Sequence, residues 1–302
     1  MGKTPQMPPV PQLPGVEHRE LDLATGVRIH IALAGPEDAP RVLALHGWPQ
    51  HWWIWRKVIE RLGGDVRIAC PDLRGLGWSG WPADGDFRKA RLAGDAFATL
   101  DALGWDRALL VGHDWGGVAG YLAALDAPER LDGLLVLAAA HPWQPPLTLL
   151  ANAWRFAYQL PIAPPRLGRR VMHDGRYTAA MLQAGSGSDF RFTPEEIATY
   201  ADVLREDVPA RATEGYYGSF LTRDSIELGR AVAGRRLQVP TRLLYGTREP
   251  LGVPLARGLE RHGDDAALEL LPGAGHWLPE ERPDAVAAQI ATLLGIHAAQ
   301  GS

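Results

Sequence analysis

The residue whose position points most directly to chemistry is Asp114. It follows the apolar run Leu109–Val111 and lies in the sequence Gly-His-Asp-Trp-Gly-Gly of residues 112–117. This pattern is typical of a strand, a sharp turn and a helix, with a nucleophile exposed at the turn. A carboxylate at that point suits displacement at an alkyl carbon with a good or strained leaving group. The product is an alkyl ester of the enzyme, which water must then cleave.

Two later loops supply candidates for a base and its partner. His276 lies in the sequence Gly-Ala-Gly-His-Trp of residues 273–277, between a predicted strand and a predicted helix. Glu249 follows the preceding predicted strand. A carboxylate beside an imidazole selects its tautomer and stabilises its charged form. The order nucleophile, acid, histidine therefore predicts a triad of Asp114, Glu249 and His276, in which the histidine activates the water.

The loop Leu-His-Gly-Trp-Pro of residues 45–49 offers a place for the oxyanion. A turn here would put the Trp48 N–H opposite the Trp115 N–H, and such a pair would stabilise the oxyanion formed when the ester is cleaved. Taken singly, the triad residues have other interpretations: Asp114 as a helix N-cap, Glu249 as a surface charge and His276 as an exposed turn residue. Their occurrence in order, each after a strand, favours catalysis.

Short apolar runs alternate with helical patterns along most of the chain. This alternation predicts an α/β fold, with a mostly parallel sheet covered by helices on both faces. The predicted strands are Val27–Leu33, Arg41–Leu45, Val66–Cys70, Arg107–Val111, Leu134–Ala138, Thr241–Tyr245 and Leu268–Leu271. The predicted helices are Trp52–Leu62, Arg88–Leu103, Trp115–Leu125 and Pro283–Leu294.

The pattern changes between residues 141 and 230. Prolines crowd its beginning, and helical spacing then covers Arg166–Gln183, Pro194–Leu204 and Arg211–Leu221 without a convincing strand. We predict a helical cap at 141–230, inserted into a core of residues 16–140 and 231–302. Such a cap would cover the carboxyl edge of the sheet, where this architecture binds ligands. The proline-rich residues 1–15 are expected to form a flexible leader.

Composition narrows the classes of partner. A net charge of −4 does not favour a nucleic-acid partner. No stretch of 18 apolar residues predicts a membrane span, and no signal-peptide core is evident, so we expect a cytoplasmic protein. The single cysteine, Cys70, is expected to be a buried spectator. With no clustered ligand motif, we expect neither metal nor organic cofactor, in a monomer or homodimer.

The turn Gly-His-Asp-Trp-Gly-Gly of residues 112–117, the order of the triad and the cap together resemble the epoxide hydrolases and haloalkane dehalogenases of the α/β-hydrolase superfamily. The resemblance runs from about Val16 to Leu294 and includes the sequence Pro-Asp-Leu-Arg-Gly-Leu-Gly-Trp-Ser of residues 71–79. It implies the α/β-hydrolase fold and an aspartyl ester intermediate.

The first discriminator between these branches is the loop His46–Pro49. It resembles the His-Gly-x-Pro loop of epoxide hydrolases, whereas haloalkane dehalogenases usually have Asn where Trp48 stands. His46 and Pro49 are therefore expected to belong to the binding site.

The second discriminator is a pair of cap tyrosines, which in epoxide hydrolases donate hydrogen bonds to the epoxide oxygen. The sequence Phe-Ala-Tyr-Gln-Leu of residues 156–160 is similar to the first tyrosine motif, and Gly-Tyr-Tyr-Gly of residues 215–218 to the second. The resemblance implies this role for Tyr158 and Tyr217, with Tyr216 as the alternative second member.

The chain also departs from the family pattern. The acid is most often Asp, but Glu249 stands here; Asp72 is a rival carboxylate whose Asp-x-x-Gly loop suggests a structural role. No acid follows Leu134–Ala138, where one dehalogenase branch carries its own.

We therefore predict an epoxide hydrolase acting on a small apolar epoxide. One alternative is a haloalkane or haloacid dehalogenase using the same triad, with the Trp115 indole N–H on the halide. The other is a non-catalytic protein that binds a small apolar ligand.

Overall fold

The computed structural model describes residues 7–296. Its eight strands are β1 (Val16–Leu23), β2 (Val27–Ala34), β3 (Arg41–Leu45), β4 (Arg67–Pro71), β5 (Ala108–His113), β6 (Leu131–Leu137), β7 (Thr241–Gly246) and β8 (Ala266–Leu271). They form one sheet in the order β1-β2-β4-β3-β5-β6-β7-β8. The β1–β2 and β2–β4 pairs are antiparallel, and every other pair is parallel. The predicted, mostly parallel sheet is therefore confirmed.

Eleven α-helices occur in the described part of the chain. They are α1 (Arg56–Leu62), α2 (Lys89–Ala102), α3 (Trp115–Asp126), α4 (Pro146–Asn152), α5 (Leu167–Asp174), α6 (Arg176–Ala184), α7 (Pro194–Leu204), α8 (Asp207–Ser219), α9 (Ser225–Val232), α10 (Leu278–Glu281) and α11 (Pro283–Leu294). A π-helical turn, Phe220–Asp224, joins α8 to α9, and a 3-10 segment, Ala153–Gln159, continues α4.

Helices cover both faces of the sheet because successive strand side chains point to opposite sides. In β3, Leu43 and Leu45 belong to one buried cluster together with residues of α2 and α3. Val42 and Ala44 belong to a second cluster, with residues of α1 and α11. The central strands β3–β7 are thus mostly buried on both faces, as their continuous apolar sequences predict, whereas the edge strand β8 is partly exposed.

The segment between β6 and β7 contains helices α4–α9 and, among the described residues, no strand of the sheet. Its residues Tyr216 and Tyr217 pack into the same cluster as α2 and α3. The helical stretch predicted for Arg166–Gln183 is helical in the structure, as the two helices α5 and α6. The chain breaks between them at Gly175, which has a left-handed φ of 75°. Left-handed backbone ends a helix and is readily adopted by glycine.

The polar edge strand β1 was not predicted. Only three of its eight residues, Val16, Leu21 and Leu23, are apolar, and they do not alternate regularly with polar residues. Residues 7–15 lie against the core, in contrast to the expected flexible leader: the Trp78 indole donates to the Pro8 carbonyl at 2.7 Å, and Val10 packs on the second cluster. Residues 1–6 of that leader lie outside the described residues. Within 7–296, no helix has the length and apolar character needed to cross a membrane.

Candidate active site

Asp114 lies at the turn between β5 and α3, with an unusual φ of 50°. Non-glycine residues adopt this conformation at a cost, and such strain is typical of functional turns. The glycines around it are required by packing, since a Cβ on Gly112 would lie 2.3 Å from the Gly116 carbonyl oxygen. The Asp114 side chain makes no capping hydrogen bond to α3. The N-cap interpretation is therefore not supported, and the carboxylate is available for other contacts.

The Asp114 carboxylate accepts a hydrogen bond from the Trp48 N–H at 3.1 Å. Gly47 allows this approach, because a Cβ there would lie 2.4 Å from the Cβ of Asp114. Burial raises the pKa of Asp114 to about 6, against the opposing effects of His276 and of hydrogen bonds from the Trp115 and Trp48 N–H groups. At neutral pH the carboxylate is ionised but poorly solvated, as a nucleophile should be. The two N–H groups reach it from different loops.

His276 and Glu249 meet at the same edge of the sheet. The imidazole Nδ1 lies 2.8 Å from Glu249 Oε2, and the carboxylate is only 4% exposed. Burial opposes protonation of the imidazole, but Glu249 and Asp114 together outweigh it and raise the pKa of His276 to about 9. Since Nδ1 is held by Glu249, Nε2 is the ring nitrogen that can exchange a proton with water.

The loop that carries His276 is fixed by a carboxylate that the sequence analysis missed. Glu281 accepts backbone hydrogen bonds from Gly187, Gly275 and Trp277, at 3.1, 2.7 and 3.0 Å. The His276 N–H in turn donates to the Gly185 carbonyl, at 2.7 Å. From the sequence, two adjacent acids before a helix suggest only a favourable interaction with the N-terminus of that helix. No motif near Glu281 indicates that it accepts hydrogen bonds from the loop of His276.

A cavity of about 50 Å³ lies between the side chains of Asp114, His276 and Glu249 and the segment between β6 and β7. These three residues line it, together with Tyr158 and Tyr217. The remaining lining is largely apolar and aromatic: Trp48, Met181, Gly185, Pro250, Leu251 and Trp277.

The rings of Tyr158 and Tyr217 meet nearly at right angles, with centroids 5.9 Å apart. Burial, and after it the charge of Asp114, raises the pKa of the Tyr158 phenol; burial does the same for Tyr217. Both phenols are therefore protonated hydrogen-bond donors at neutral pH.

The structure separates Tyr217 from Tyr216. Tyr216 is fully buried, and its hydroxyl donates to the Arg74 carbonyl at 3.1 Å instead of lining the cavity. Tyr217 faces the cavity and packs edge-on against Trp48 and Trp115. The alternative assignment of Tyr216 as the cavity donor is thus not supported.

His46 and Pro49, expected in the binding site, also lie outside the cavity lining. The buried His46 ring accepts from the Leu73 N–H at 2.9 Å through Nε2 and contacts the Gly47 carbonyl through Nδ1 at 2.9 Å, so it supports the loop as a neutral imidazole. Pro49 forms a cis peptide with Trp48. Both residues are in the turn that presents the Trp48 N–H.

Asp72 is structural, as its loop motif indicated. It accepts from the Trp52 and Trp78 N–H groups, at 2.7 and 3.0 Å, and lies 2.8 Å from a ring nitrogen of His30. Burial favours its neutral form, but the interaction with His30 outweighs burial and lowers the pKa of Asp72 to about 2. This carboxylate does not line the cavity.

A second missed residue is Lys89, whose side chain is completely buried behind Trp115. Its ammonium lies 3.1 Å from Asp224. Lys89 precedes Leu92, Ala93 and Ala96 at spacings of three, four and seven residues. That pattern places it on the buried face of α2. A lysine at a position where the helical spacing predicts a buried apolar residue could have drawn attention to Lys89.

Known proteins share the fold of this chain. Residues 40–283 match the model of the alpha/beta hydrolase fold family. The chain is 30% identical over 280 residues to a soluble epoxide hydrolase of Corynebacterium sp. (strain C12), covering 87% of this chain and 92% of that protein. It is 29% identical over 274 residues to the AB hydrolase superfamily protein YfhM of Bacillus subtilis (strain 168), covering 85% and 91%. The solved structure of epoxide hydrolase CorEH without ligand superposes with a TM-score of 0.79 at 25% identity, covering 93% and 99%. The chain therefore belongs to the α/β-hydrolase fold family, within which it resembles the epoxide hydrolases.

Proposed function

We propose that this protein is an epoxide hydrolase that converts a small apolar epoxide to a vicinal diol. One observation carries the proposal: a buried carboxylate, Asp114, and two protonated phenols, Tyr158 and Tyr217, line the same largely apolar cavity. The carboxylate suits attack on carbon, and the phenols suit an oxygen that leaves as an alkoxide. The resemblance to a soluble epoxide hydrolase supports the same choice.

In the first step, a carboxylate oxygen of Asp114 bonds to an epoxide carbon, and the carbon–oxygen bond of the ring breaks. The epoxide oxygen takes the electron pair, and a phenol of Tyr158 or Tyr217 supplies its proton. The product is a hydroxyalkyl ester of Asp114. No base is needed at this step, since the nucleophile is already an anion.

In the second step, water attacks the ester carbonyl of Asp114 and transfers a proton to His276. The Trp48 and Trp115 N–H groups stabilise the oxyanion. Its collapse expels the diol alkoxide, which takes a proton from the imidazolium, and leaves Asp114 as a carboxylic acid. Asp114 then loses that proton to solvent and the phenolate formed earlier regains one from solvent, so the cycle adds one water to one epoxide.

The charges of the site favour this order of events. The negative charge of Asp114 helps raise the pKa of His276 to about 9 in the free enzyme. Esterification removes that charge, so we expect the imidazole pKa to fall. His276 then becomes a better acceptor for the proton of water at the step that requires a base.

No comparable observation among the described residues favours a dehalogenase or a protein that only binds a ligand. A haloacid substrate would need a cation for its carboxylate, and no Arg or Lys is among the described residues lining the cavity. A halide leaves as a stable anion and has less need of two phenols. A protein that only binds an apolar ligand gains nothing from buried, ionisable Asp114 and Glu249, which cost free energy to bury.

The deciding experiment measures diol and halide release in parallel, with styrene oxide and a bromoalkane as substrates and Asp114→Ala as the inactive control. We expect diol from the epoxide and little halide. Halide release without diol would favour a dehalogenase, and neither product from a wider substrate panel would favour a binding protein.

A single turnover in heavy-oxygen water should label Asp114 before the diol, whereas direct attack by water would label the diol at once.

A further inference from the structure

A buried ion pair joins the sheet core to the inserted helices directly behind the candidate active site. Lys89, the first residue of α2, is 0% exposed, and its ammonium lies 3.1 Å from the carboxylate of Asp224, itself 3% exposed. Asp224 also accepts from the Lys89 backbone N–H, at 3.1 Å. A fully buried ammonium must be compensated by polar partners, so this contact constrains where Asp224 can lie.

The other partners of the ammonium come from the same inserted segment. Lys89 Nζ donates to the Tyr216 carbonyl at 2.9 Å, at the end of α8. The ring of Phe220 lies 5.4 Å away, in the π-helical turn that ends at Asp224. A π-helical turn inserts extra backbone into a helix and is frequent at functional sites. Here it brings Phe220 and Asp224 onto one ammonium.

The ammonium also contacts the residue that follows Asp114. It lies 4.0 Å from the centre of the Trp115 indole, a cation–π contact. Tyr217 and Phe220 pack edge-on against the same indole, with centroids 5.5 and 5.0 Å away. The indole is thus held by Lys89 together with the segment that carries Tyr217, while the Trp115 backbone N–H faces Asp114.

We propose that Lys89 and Asp224 form a latch between core and cap that holds Trp115 and directs Tyr217 into the cavity. Both are positioning residues, since neither lines the cavity. The opposite charges largely cancel at a distance, so their effect is on geometry more than on the field at Asp114. The kinetic part of this proposal rests on the proposed epoxide hydrolysis; the structural part does not.

The test must separate lost positioning from lost folding. Lys89→Met alone would leave the Asp224 carboxylate buried without its partner and would destabilise the protein. The double variant Lys89→Met/Asp224→Asn removes both charges together. The side-chain amide oxygen introduced at position 224 can still accept a hydrogen bond from the backbone N–H of position 89. Replacing both members of a buried pair is often tolerated, so we expect this variant to fold.

A matched control lies at the same junction. Arg88 and Glu227 form a second core-to-cap ion pair, at 2.9 Å, whose side chains are 31% and 39% exposed. Neither residue lines the cavity. Glu227→Gln removes this surface pair, and we expect it to change neither measurement.

Two measurements are made on each full-length variant. Amide hydrogen exchange should be faster in residues 216–228 of the double variant, because the segment is less firmly held. In a His276→Ala background, mass spectrometry of the intact protein should show ester formation from styrene oxide slowed on the order of 10²-fold, since misplacing a group by about 1 Å costs that much.

Unchanged exchange in residues 216–228 would overturn the latch. Faster exchange with an unchanged alkylation rate would overturn its role in placing Tyr217. If the wild-type protein forms no ester and releases no diol, the proposed function fails, while the exchange measurement still decides whether the latch exists.

Discussion

Glu249→Gln should separate the two half-reactions. The substitution removes one negative charge 2.8 Å from His276 Nδ1 but keeps an oxygen that can accept the same hydrogen bond. The imidazole should retain its tautomer and orientation while losing electrostatic support for its charged form. Ester hydrolysis requires that charged form in its transition state, whereas alkylation by Asp114 does not.

The magnitude follows from the character of the contact. Hydrogen bonds to charged groups contribute about 1.5–3 kcal/mol, and Glu249 is 4% exposed, so solvent screens this contact little. At 1.36 kcal/mol for each factor of ten, hydrolysis should slow by roughly 10- to 150-fold. Alkylation should change much less, so the ester intermediate should accumulate in the steady state.

The assay is rapid quenching of a styrene oxide reaction, followed by mass spectrometry of the intact protein. The expected result is a large ester fraction in Glu249→Gln and a small one in wild type. Glu260→Gln is the control, because this carboxylate is exposed and lies outside the cavity. Equal slowing of both steps would show that Glu249 positions more than the imidazole, and no slowing would mean that another group supports His276.

Four further predictions concern the remaining parts of the site. Asp114→Ala should abolish both ester and diol while the melting temperature stays near that of wild type; residual activity within tenfold of wild type would contradict covalent catalysis. His276→Ala should gain one substrate mass and hold it, and a protein that stays unmodified under saturating epoxide would show that His276 acts earlier. Tyr158→Phe/Tyr217→Phe should slow alkylation on the order of 10²–10³-fold while keeping both rings; alkylation at the wild-type rate would make the tyrosines packing residues. Because burial raises the pKa of Asp114 to about 6, protonation should remove the nucleophile below that pH, and the single-turnover alkylation rate should fall about tenfold for each unit below it; a rate that stays flat down to pH 4 would refute the assigned pKa.

Much of the site could be predicted from sequence because its parts are local. Asp114 between glycines, Glu249 after β7 and His276 after β8 each follow an apolar strand, and the carboxyl ends of parallel strands lie along one edge of a sheet. Strand, turn and helix signals depend on neighbours within a few residues. They therefore placed the three side chains at one edge without any knowledge of contacts. The edge strand β1 was missed because its sequence is mostly polar and shows no regular alternation of apolar and polar residues.

Only the tertiary structure determines the different roles of two adjacent residues whose sequence patterns are the same. Tyr216 and Tyr217 are adjacent on α8, and successive helical side chains point about 100° apart. Only the docking of that helix determines which hydroxyl faces the cavity and which reaches the Arg74 carbonyl. The helical spacing could suggest that Lys89 is buried, but its partner Asp224 is 135 residues further along the chain. Local propensity carries no information about such a pairing, because packing of the inserted helices on the sheet creates it.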